Sequence, residues 1–349
     1  MNRGVLTYPE IGGQAEAIAA AWTQLKQQQD WVAKYVADTS FEEVVFIGSG
    51  SSYYQAQTMA ATFRVWLGRS ASAFPSSEIF LFRDQAVARG RKTLLVGVSR
   101  SGESTEVLLA IDAVKDVPNW TVCGITCYED SGLAQRAECL VSPLGKEQST
   151  VMTKSFSSMT FMMQAAIATV AGPEKLGELA EAMALTEQVV KRADAFAEAL
   201  AAENAFAKTI YLGMGSYFGL AQEVCLKLKE MAYVWTESYG TLEFRHGPKS
   251  IVEPGTLVAV LVSETARSYE LKVAEEMKAY GAFVLLVTAK AGDDTAFADA
   301  VFEIGGAELS DEARATLYLP ALQYLGFRSA MAKGVDPDHP RNLTQVVII

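Results

Sequence analysis

Four hydroxyl side chains are crowded into one short turn that follows an apolar segment of the chain. The segment Thr93–Val98 is followed by SRSGEST (residues 99–105), and a helical pattern begins there. One Ser or Thr commonly caps a helix, so capping explains only one of these hydroxyls. Free N–H groups at a helix start also bind anions, and Gly102 permits close backbone approach. The pattern therefore favours a phosphate-binding loop over a simple helix cap.

A second hydroxyl-rich turn, GSGSS (residues 48–52), follows another apolar segment. Glycine-rich turns of this kind also occur in dinucleotide sites. The complete G-x-G-x-x-G pattern is absent because Tyr53 stands at the position of the third glycine. Nucleotide binding is therefore disfavoured.

Three charged residues at helical spacing form a further candidate for chemistry. Glu223, Lys227 and Glu230 are related as i, i+4 and i+7, so one helix face carries all three. The ordinary alternative is a solvated ion pair, which contributes roughly a few tenths of a kcal/mol. The residues between them are largely apolar, which leaves little exposed helix. The spacing alone leaves both a catalytic face and a salt bridge open.

Histidine is rare in this chain, which has only His246 and His339. His246 lies in EFRHGP (residues 243–248), shortly after the charged helix. A single histidine is usually structural, but its near-neutral pKa also suits proton transfer. His339 lies near the end of the sequence, and we expect it to be non-catalytic.

These candidates must be positioned by a repeated pattern of strands and helices. VVFIGSGSSY (44–53) resembles TIYLGMGSYF (209–218), and TLLVGVSRSGES (93–104) resembles TLVAVLVSETAR (256–267). TVCGITCYED (121–130) and AFVLLVTAKA (282–291) form a third pair in the same order. The repetition indicates a duplicated domain, and the alternation predicts parallel sheets flanked by helices. A helical linker is expected between the copies, from about residue 153 to 204.

Composition excludes several classes of protein. The 349 residues are enough for two domains, and the net charge of −11 argues against a nucleic-acid partner. No signal peptide or membrane-spanning apolar run is present, so we expect no membrane association. The four cysteines match no zinc pattern and are expected to be reduced thiols of a cytoplasmic protein. No metal site is predicted.

The strand–SRSGES–helix motif resembles the phosphate loop of the sugar isomerase (SIS) family. EVCLKLKEMAYVWTESYGTLEFRHGP (223–248), STVMTKSF (149–156) and KGVDPDHPRNLTQVV (333–347) are similar to the catalytic segment, sugar-contacting loop and C-terminal tail of double-SIS enzymes. The resemblance extends to the isomerase half of glucosamine-6-phosphate synthases, without their glutaminase domain. It implies an α/β fold of two tandem SIS domains, each a doubly wound, three-layer structure. The expected divisions are 1–170, with an N-terminal helix, and 171–349, with the helical linker and tail.

The resemblance also implies roles for individual residues. Glu230 would move a proton between C1 and C2 of an open-chain sugar, Lys227 would stabilise developing charge, and Glu223 is the next candidate base. His246 would open the sugar ring and reach the site of a neighbouring subunit, which implies a homodimer with a shared active site. Isomerisation by proton transfer requires no cofactor. The implied contacts to phosphate are Ser99, Arg100, Ser101 and Ser104, and those to the sugar are Ser51, Ser52, Val151 and Thr153.

One residue departs from the synthase pattern. The synthases carry a tail lysine that forms an imine with the ketose, whereas this chain has Gln345. We therefore expect an amino-sugar 6-phosphate deaminase and isomerase that releases ammonia. A deglycase of sugar-phosphate–amino acid adducts is an alternative that the sequence does not separate from it. A non-enzymatic phosphosugar sensor is the third hypothesis, although Glu230 and His246 would be superfluous in one.

Overall fold

The chain forms two compact units in the computed structural model, which describes residues 3–204 and 206–347. Residues 13–179 and 342–347 make up the first unit. Residues 3–12 and 180–341 make up the second unit. Each unit therefore includes a short segment from the far end of the sequence.

The described residues form ten strands and thirteen α-helices, which are numbered in chain order. The strands are β1 (Glu43–Gly48), β2 (Ala71–Pro75), β3 (Thr93–Val98), β4 (Trp120–Thr126), β5 (Cys139–Val141), β6 (Lys208–Leu212), β7 (Thr236–Tyr239), β8 (Thr256–Leu261), β9 (Phe283–Thr288) and β10 (Ala300–Glu303). The helices are α1 (Thr7–Gly12), α2 (Gln14–Leu25), α3 (Gln29–Trp31), α4 (Ser51–Leu67), α5 (Ser76–Ala86), α6 (Thr105–Val114), α7 (Gly132–Arg136), α8 (Lys154–Ala171), α9 (Pro173–Glu203), α10 (Phe218–Ala232), α11 (Arg267–Ala279), α12 (Asp311–Arg314) and α13 (Leu319–Ala332).

The first unit is built on a parallel sheet with the strand order β2-β1-β3-β4-β5. All six residues of β3 are buried, as expected for a central strand covered on both faces. Val45 and Ile47 of β1 pack in one core cluster with residues of α6. Phe46, which points to the opposite face, contacts Phe63 of α4 with ring centroids 6.2 Å apart. Helices therefore cover both faces of this sheet.

The second unit repeats the same sheet, with the parallel order β10-β9-β8-β6-β7. The paired segments of the sequence repeat, β1 with β6, β3 with β8 and β4 with β9, occupy equivalent places in the two orders. The predicted duplication is confirmed. Helix α11 packs on one face through Leu271, Val273 and Met277, and α10 packs against β6 and β7.

Helices α8 and α9 occupy almost all of the stretch in which a helical linker was expected. Helix α8 is buried on nearly every side because it packs against α2 and α4. Its sequence is accordingly apolar or small around the whole circumference. Across residues 3–204 and 206–347, the helices lack the combination of length and hydrophobicity that a membrane span requires.

Candidate functional site

The serine loop (residues 99–104) connects the carboxyl end of β3 to α6. Ser99 is fully buried, and its Oγ accepts a hydrogen bond from the Gly102 N–H at 3.0 Å and lies 3.3 Å from Ser104 Oγ. Ser101 Oγ accepts the Glu103 N–H at 3.1 Å. Ser104 is the N-cap residue of α6, yet its side chain makes no capping bond to the helix. The loop therefore organises its hydroxyls around the turn rather than on the helix end.

Gly102 is required by the conformation of this loop. Its φ of +67° lies in the left-handed region, and a Cβ there would collide with the Ser131 side chain. The Gly102 carbonyl accepts the Leu133 N–H at 2.9 Å. This close approach fixes the turn against the start of α7.

The second hydroxyl-rich turn leads from β1 into α4. Ser51 and Ser52 form the first residues of α4, and both are buried. Gly48 has no room for a side chain because a Cβ would meet the Ser52 backbone. Parallel strands bring their carboxyl ends to one edge of the sheet, so this turn and the serine loop share that edge.

The sugar-loop segment (residues 147–153) precedes α8 in the same unit. Val151 and Thr153 are buried there, and Ser149 Oγ donates to the Val151 carbonyl at 3.0 Å. Gln55 of α4 donates to the Phe156 carbonyl at 2.9 Å. Because Gln55 lies one turn after Ser51 and Ser52, this bond ties the hydroxyl turn to the start of α8.

Glu147 is a functional candidate that sequence reasoning missed. Its buried carboxylate accepts hydrogen bonds from Thr153 N at 2.6 Å and Ser155 Oγ at 2.6 Å, and pairs with Arg100 Nη1 at 3.1 Å. Arg100 Nη2 donates to the Thr150 carbonyl at 3.2 Å. The Arg100 guanidinium is thus directed at the sugar-loop segment. An acidic residue beside a predicted binding motif was the only local signal.

The tail segment (residues 342–347) completes this group. Gln345 Nε2 donates to the carbonyls of Gln148 and Ser149 at 2.8 and 3.0 Å. The Gln345 carbonyl accepts from Arg100 Nη2 at 3.4 Å, and the Val347 carbonyl accepts from Thr105 N and Oγ1. The tail therefore bonds both the serine loop and the sugar-loop segment.

In the second unit, α10 carries a buried cluster of opposite charges. Lys227 is 1% exposed, and its Nζ lies 2.5 Å from Glu230 Oε2 and 3.4 Å from Glu223 Oε1. Glu223 is fully buried, whereas Glu230 is half-buried. The predicted helix face exists, but it points into the protein. A solvated ion pair does not describe this arrangement.

His246 lies outside that cluster, on an exposed turn. The turn is anchored on one side by Phe244, which is fully buried in the core of the second unit. On the other side, Arg245 makes two contacts with the Glu276 carboxylate, at 2.6 and 3.1 Å. Gly247 follows with a φ of +118°. A rigidly held turn thus presents the imidazole at the surface.

In the second unit, the loop equivalent to the serine loop includes Glu264 and Thr265, and it binds the side-chain carboxylate of Asp311. The N–H groups of Glu264 and Thr265 donate to Asp311 at 2.9 and 3.1 Å, and Arg314 pairs with the same carboxylate. Nearby, Ser263 N and Oγ donate to the buried Glu270 at 2.6 and 2.9 Å. Burial raises the pKa of Glu270 to about 7, against the opposing effect of the Ser263 hydrogen bonds.

Comparison with known proteins gives consistent matches along most of the chain. Glutamine–fructose-6-phosphate aminotransferase (isomerizing) of Methanothermobacter thermautotrophicus is 27% identical over 88% of this chain and 52% of its own length. The corresponding enzyme of Brucella abortus is 26% identical over 100% of this chain and 58% of its own length. The chain thus spans little more than half the length of these relatives.

Solved structures agree on the fold. Glucosamine-6-phosphate deaminase from Thermotoga maritima is 29% identical, with a TM-score of 0.72, over 95% of this chain and 100% of that chain. Tagatose-6-phosphate ketose/aldose isomerase from Escherichia coli has a TM-score of 0.86 at 23% identity, over 96% of each chain. The SIS domain model matches residues 40–169 and 206–321. Since these two matches cover well over half of the chain, the protein belongs to the SIS domain family.

Proposed function

We propose that this protein is an amino-sugar 6-phosphate deaminase that couples aldose–ketose isomerisation to the release of ammonia. The observation that carries the proposal is the Glu223–Lys227–Glu230 cluster buried in α10. The named activities of two relatives support the substrate class. One is an isomerizing aminotransferase, and the other is a glucosamine-6-phosphate deaminase that is 29% identical to this chain.

Burial of the cluster favours chemistry over a structural ion pair. Removing charged groups from water is costly, and a buried ion pair often stabilises a fold no better than apolar residues would. Glu230 keeps part of its side chain accessible, with 17% exposure, while Lys227 beside it is closed off. Such a pairing of one accessible carboxylate with one buried ammonium is suited to proton transfer next to a developing negative charge.

The proposed reaction starts from the open-chain aldose, with an aldehyde at C1 and an amine at C2. Glu230 takes the C2 proton and returns it to C1, while O1 takes one proton from the protonated C2 amine, so the C1 carbonyl becomes a hydroxymethyl group and C2 becomes an iminium. Lys227 stabilises the oxyanion that forms at O1 during this transfer. Water then adds to C2, ammonia leaves, and a ketose 6-phosphate remains. Glu223 holds Lys227 in place.

Binding of the sugar phosphate is assigned to the first unit. Ser99, Ser101 and Ser104 supply hydroxyls to the phosphate, and the loop N–H groups add donors. This arrangement suits an anion in a protein of net charge −11, because it relies on local dipoles. The sugar is assigned to Ser51, Ser52, Val151 and Thr153.

His246 is proposed to open the cyclic form of the substrate. Its exposed turn makes the imidazole available to a neighbouring subunit, and we propose a homodimer in which each site uses this residue from the partner copy. The tail supports release of ammonia over amino transfer. Gln345 cannot form an imine, and its amide is engaged by the carbonyls of Gln148 and Ser149.

A panel of phosphorylated substrates tests the proposal. We expect glucosamine 6-phosphate, or another amino-sugar 6-phosphate, to yield ammonia and a ketose 6-phosphate. Glu230→Gln keeps the size of the side chain but cannot take a proton, so turnover should fall by about 10²-fold or more with binding retained. Lys229→Gln, exposed on the same helix, is the control and should leave turnover unchanged.

The same panel separates the alternatives. Release of a free amino acid from a glycated amino-acid 6-phosphate, without ammonia from amino sugars, would identify a deglycase. Tight binding of sugar phosphates with no product from any substrate would identify a sensor. Full activity in Glu230→Gln would transfer the role of base to Glu223.

A further inference from the structure

Glu147 is the point at which the separate parts of the first-unit site are joined. Its buried carboxylate accepts five hydrogen bonds, which come from Arg100 Nη1, Thr153 N, Thr153 Oγ1, Ser155 N and Ser155 Oγ. Arg100 belongs to the serine loop, whereas Thr153 and Ser155 flank the start of α8. A single side chain thus bonds the predicted phosphate loop to the predicted sugar loop.

The Arg100 side chain is committed to the same connection. Nη1 pairs with Glu147, and Nη2 donates to the carbonyls of Thr150 and Gln345. Only 7% of Arg100 is exposed. Arginine usually meets phosphate through two N–H groups of its planar fork. Here both terminal nitrogens already serve the protein, which leaves the phosphate to the hydroxyls and N–H groups of the serine loop.

We propose that Glu147 is a positioning residue of the sugar-phosphate site. It positions the site by holding the Arg100 guanidinium away from the phosphate. This inference rests on the proposed function of the serine loop. Glu147 neutralises the guanidinium and fixes the spacing between the loop that holds phosphate and the segment that holds the sugar. Arg100 then contributes by fixing the distance between these two loops. The family resemblance implies, in contrast, a direct contact between Arg100 and the phosphate.

The proposal predicts that affinity and turnover change in opposite directions in Glu147→Gln. The amide Nε2 would face the Arg100 donor, so the guanidinium is released and gains access to the anion. Inorganic phosphate should then bind several-fold to about tenfold more tightly, as expected for one added charge-assisted hydrogen bond. Turnover of the sugar phosphate should fall by about tenfold, because misplacement of the loops by a fraction of an ångström weakens alignment.

The double variant Arg100→Gln/Glu147→Gln provides the rescue. Two amides can hydrogen-bond to each other without a buried charge, so phosphate affinity and turnover should both return towards the wild-type values. Glu43→Gln is the matched control, because Glu43 also accepts from two serines and an arginine but lies at the amino end of β1. It should leave both quantities unchanged. General destabilisation by loss of a carboxylate would not produce tighter binding.

Calorimetry with inorganic phosphate and glucitol 6-phosphate, alongside steady-state kinetics, decides the outcome. Unchanged or weaker phosphate binding in Glu147→Gln would overturn the inference. Weaker phosphate binding in the single variant Arg100→Gln would also overturn it, because it would show direct contact between the arginine and the phosphate. Failure of the wild-type protein to bind either ligand would instead overturn the proposed function. Amide hydrogen exchange at Thr153 and Ser155 should accelerate in Glu147→Gln, and its absence would also count against the inference.

Discussion

Ser101 illustrates how one hydroxyl can serve both the loop and a ligand. Its oxygen accepts the Glu103 N–H, while its own proton can be donated to a phosphate oxygen. We expect Ser101→Ala to weaken binding of a 6-phosphosugar by several-fold to about tenfold, since hydrogen bonds to charged groups are stronger than neutral ones. The thermal midpoint should change little because the side chain is half-buried. Equal affinities in calorimetry would reduce the loop to a helix cap.

Gln345 leads to a prediction about covalent chemistry. Its amide bonds two backbone carbonyls, and Lys227 is enclosed between two carboxylates. We expect borohydride treatment in the presence of fructose 6-phosphate to leave the protein mass unchanged, as measured by mass spectrometry. A synthase with its tail lysine is the positive control. A trapped adduct on Lys227 or Lys333 would restore the covalent scheme.

Local sequence patterns predicted some of these residues and missed others for a physical reason. The hydroxyls at 99–105 and the charged face of α10 are visible because their members are close in sequence. Glu147 and Asp311 each bond a partner that is 47 residues away, at Arg100 and Glu264 respectively. Such pairs depend on the packing of loops at a sheet edge. No spacing rule within one element reveals them.

Among the elements, α11 carries a buried carboxylate whose ionisation affects stability. Burial raises the pKa of Glu270 to about 7, so the folded protein binds a proton that the unfolded chain has already released between about pH 4.5 and 7. The stability contributed by Glu270 therefore decreases as pH rises through this range. Relative to wild type, Glu270→Gln should become more stable at pH 8 by up to about 3 kcal/mol, and the difference should vanish below about pH 4.5.

Urea unfolding at several pH values measures this effect. Glu275→Gln on the exposed side of α11 is the control and should show no such dependence. A constant difference between Glu270→Gln and wild type from pH 5 to 8 would contradict the prediction. Thr241 Oγ1, on the segment that leads to His246, lies 3.5 Å from Glu270 Oε1.

The fold itself was accessible from the sequence because the strands of each copy repeat in the same order. Short apolar runs such as β3 and β8 favour central parallel strands, and the intervening helices follow from the connection that parallel strands require. The unit to which each chain end belongs could not be predicted in this way. Residues 3–12 belong to the second unit and residues 342–347 to the first unit. Individual bonds hold them there, such as Thr7 with Asp338 and Thr105 with Val347.

At the scale of the whole molecule, the proposed dimer makes each site depend on two chains. Glu230→Gln and His246→Ala should each be inactive with cyclic substrate. Mixing the two after subunit exchange should restore part of the activity, because some sites then combine an intact Glu230 with an intact His246 from the other chain. Exchange is verified by mass spectrometry of differently labelled subunits. No recovery in verified mixed dimers would show that both groups come from one chain.

The tail segment affects the order in which parts of the first unit are completed during synthesis. Residues 342–347 bond the serine loop and the sugar-loop segment, yet the ribosome adds them after the entire second unit. Domains generally fold as units during synthesis, and the amino-terminal one folds first. The first unit can begin to fold early, but its Arg100 and Thr105 lack their tail partners until the ribosome has passed the second unit. The proposed sugar-phosphate site is therefore completed only after the second unit has been synthesised, although most of its residues are encoded before that unit.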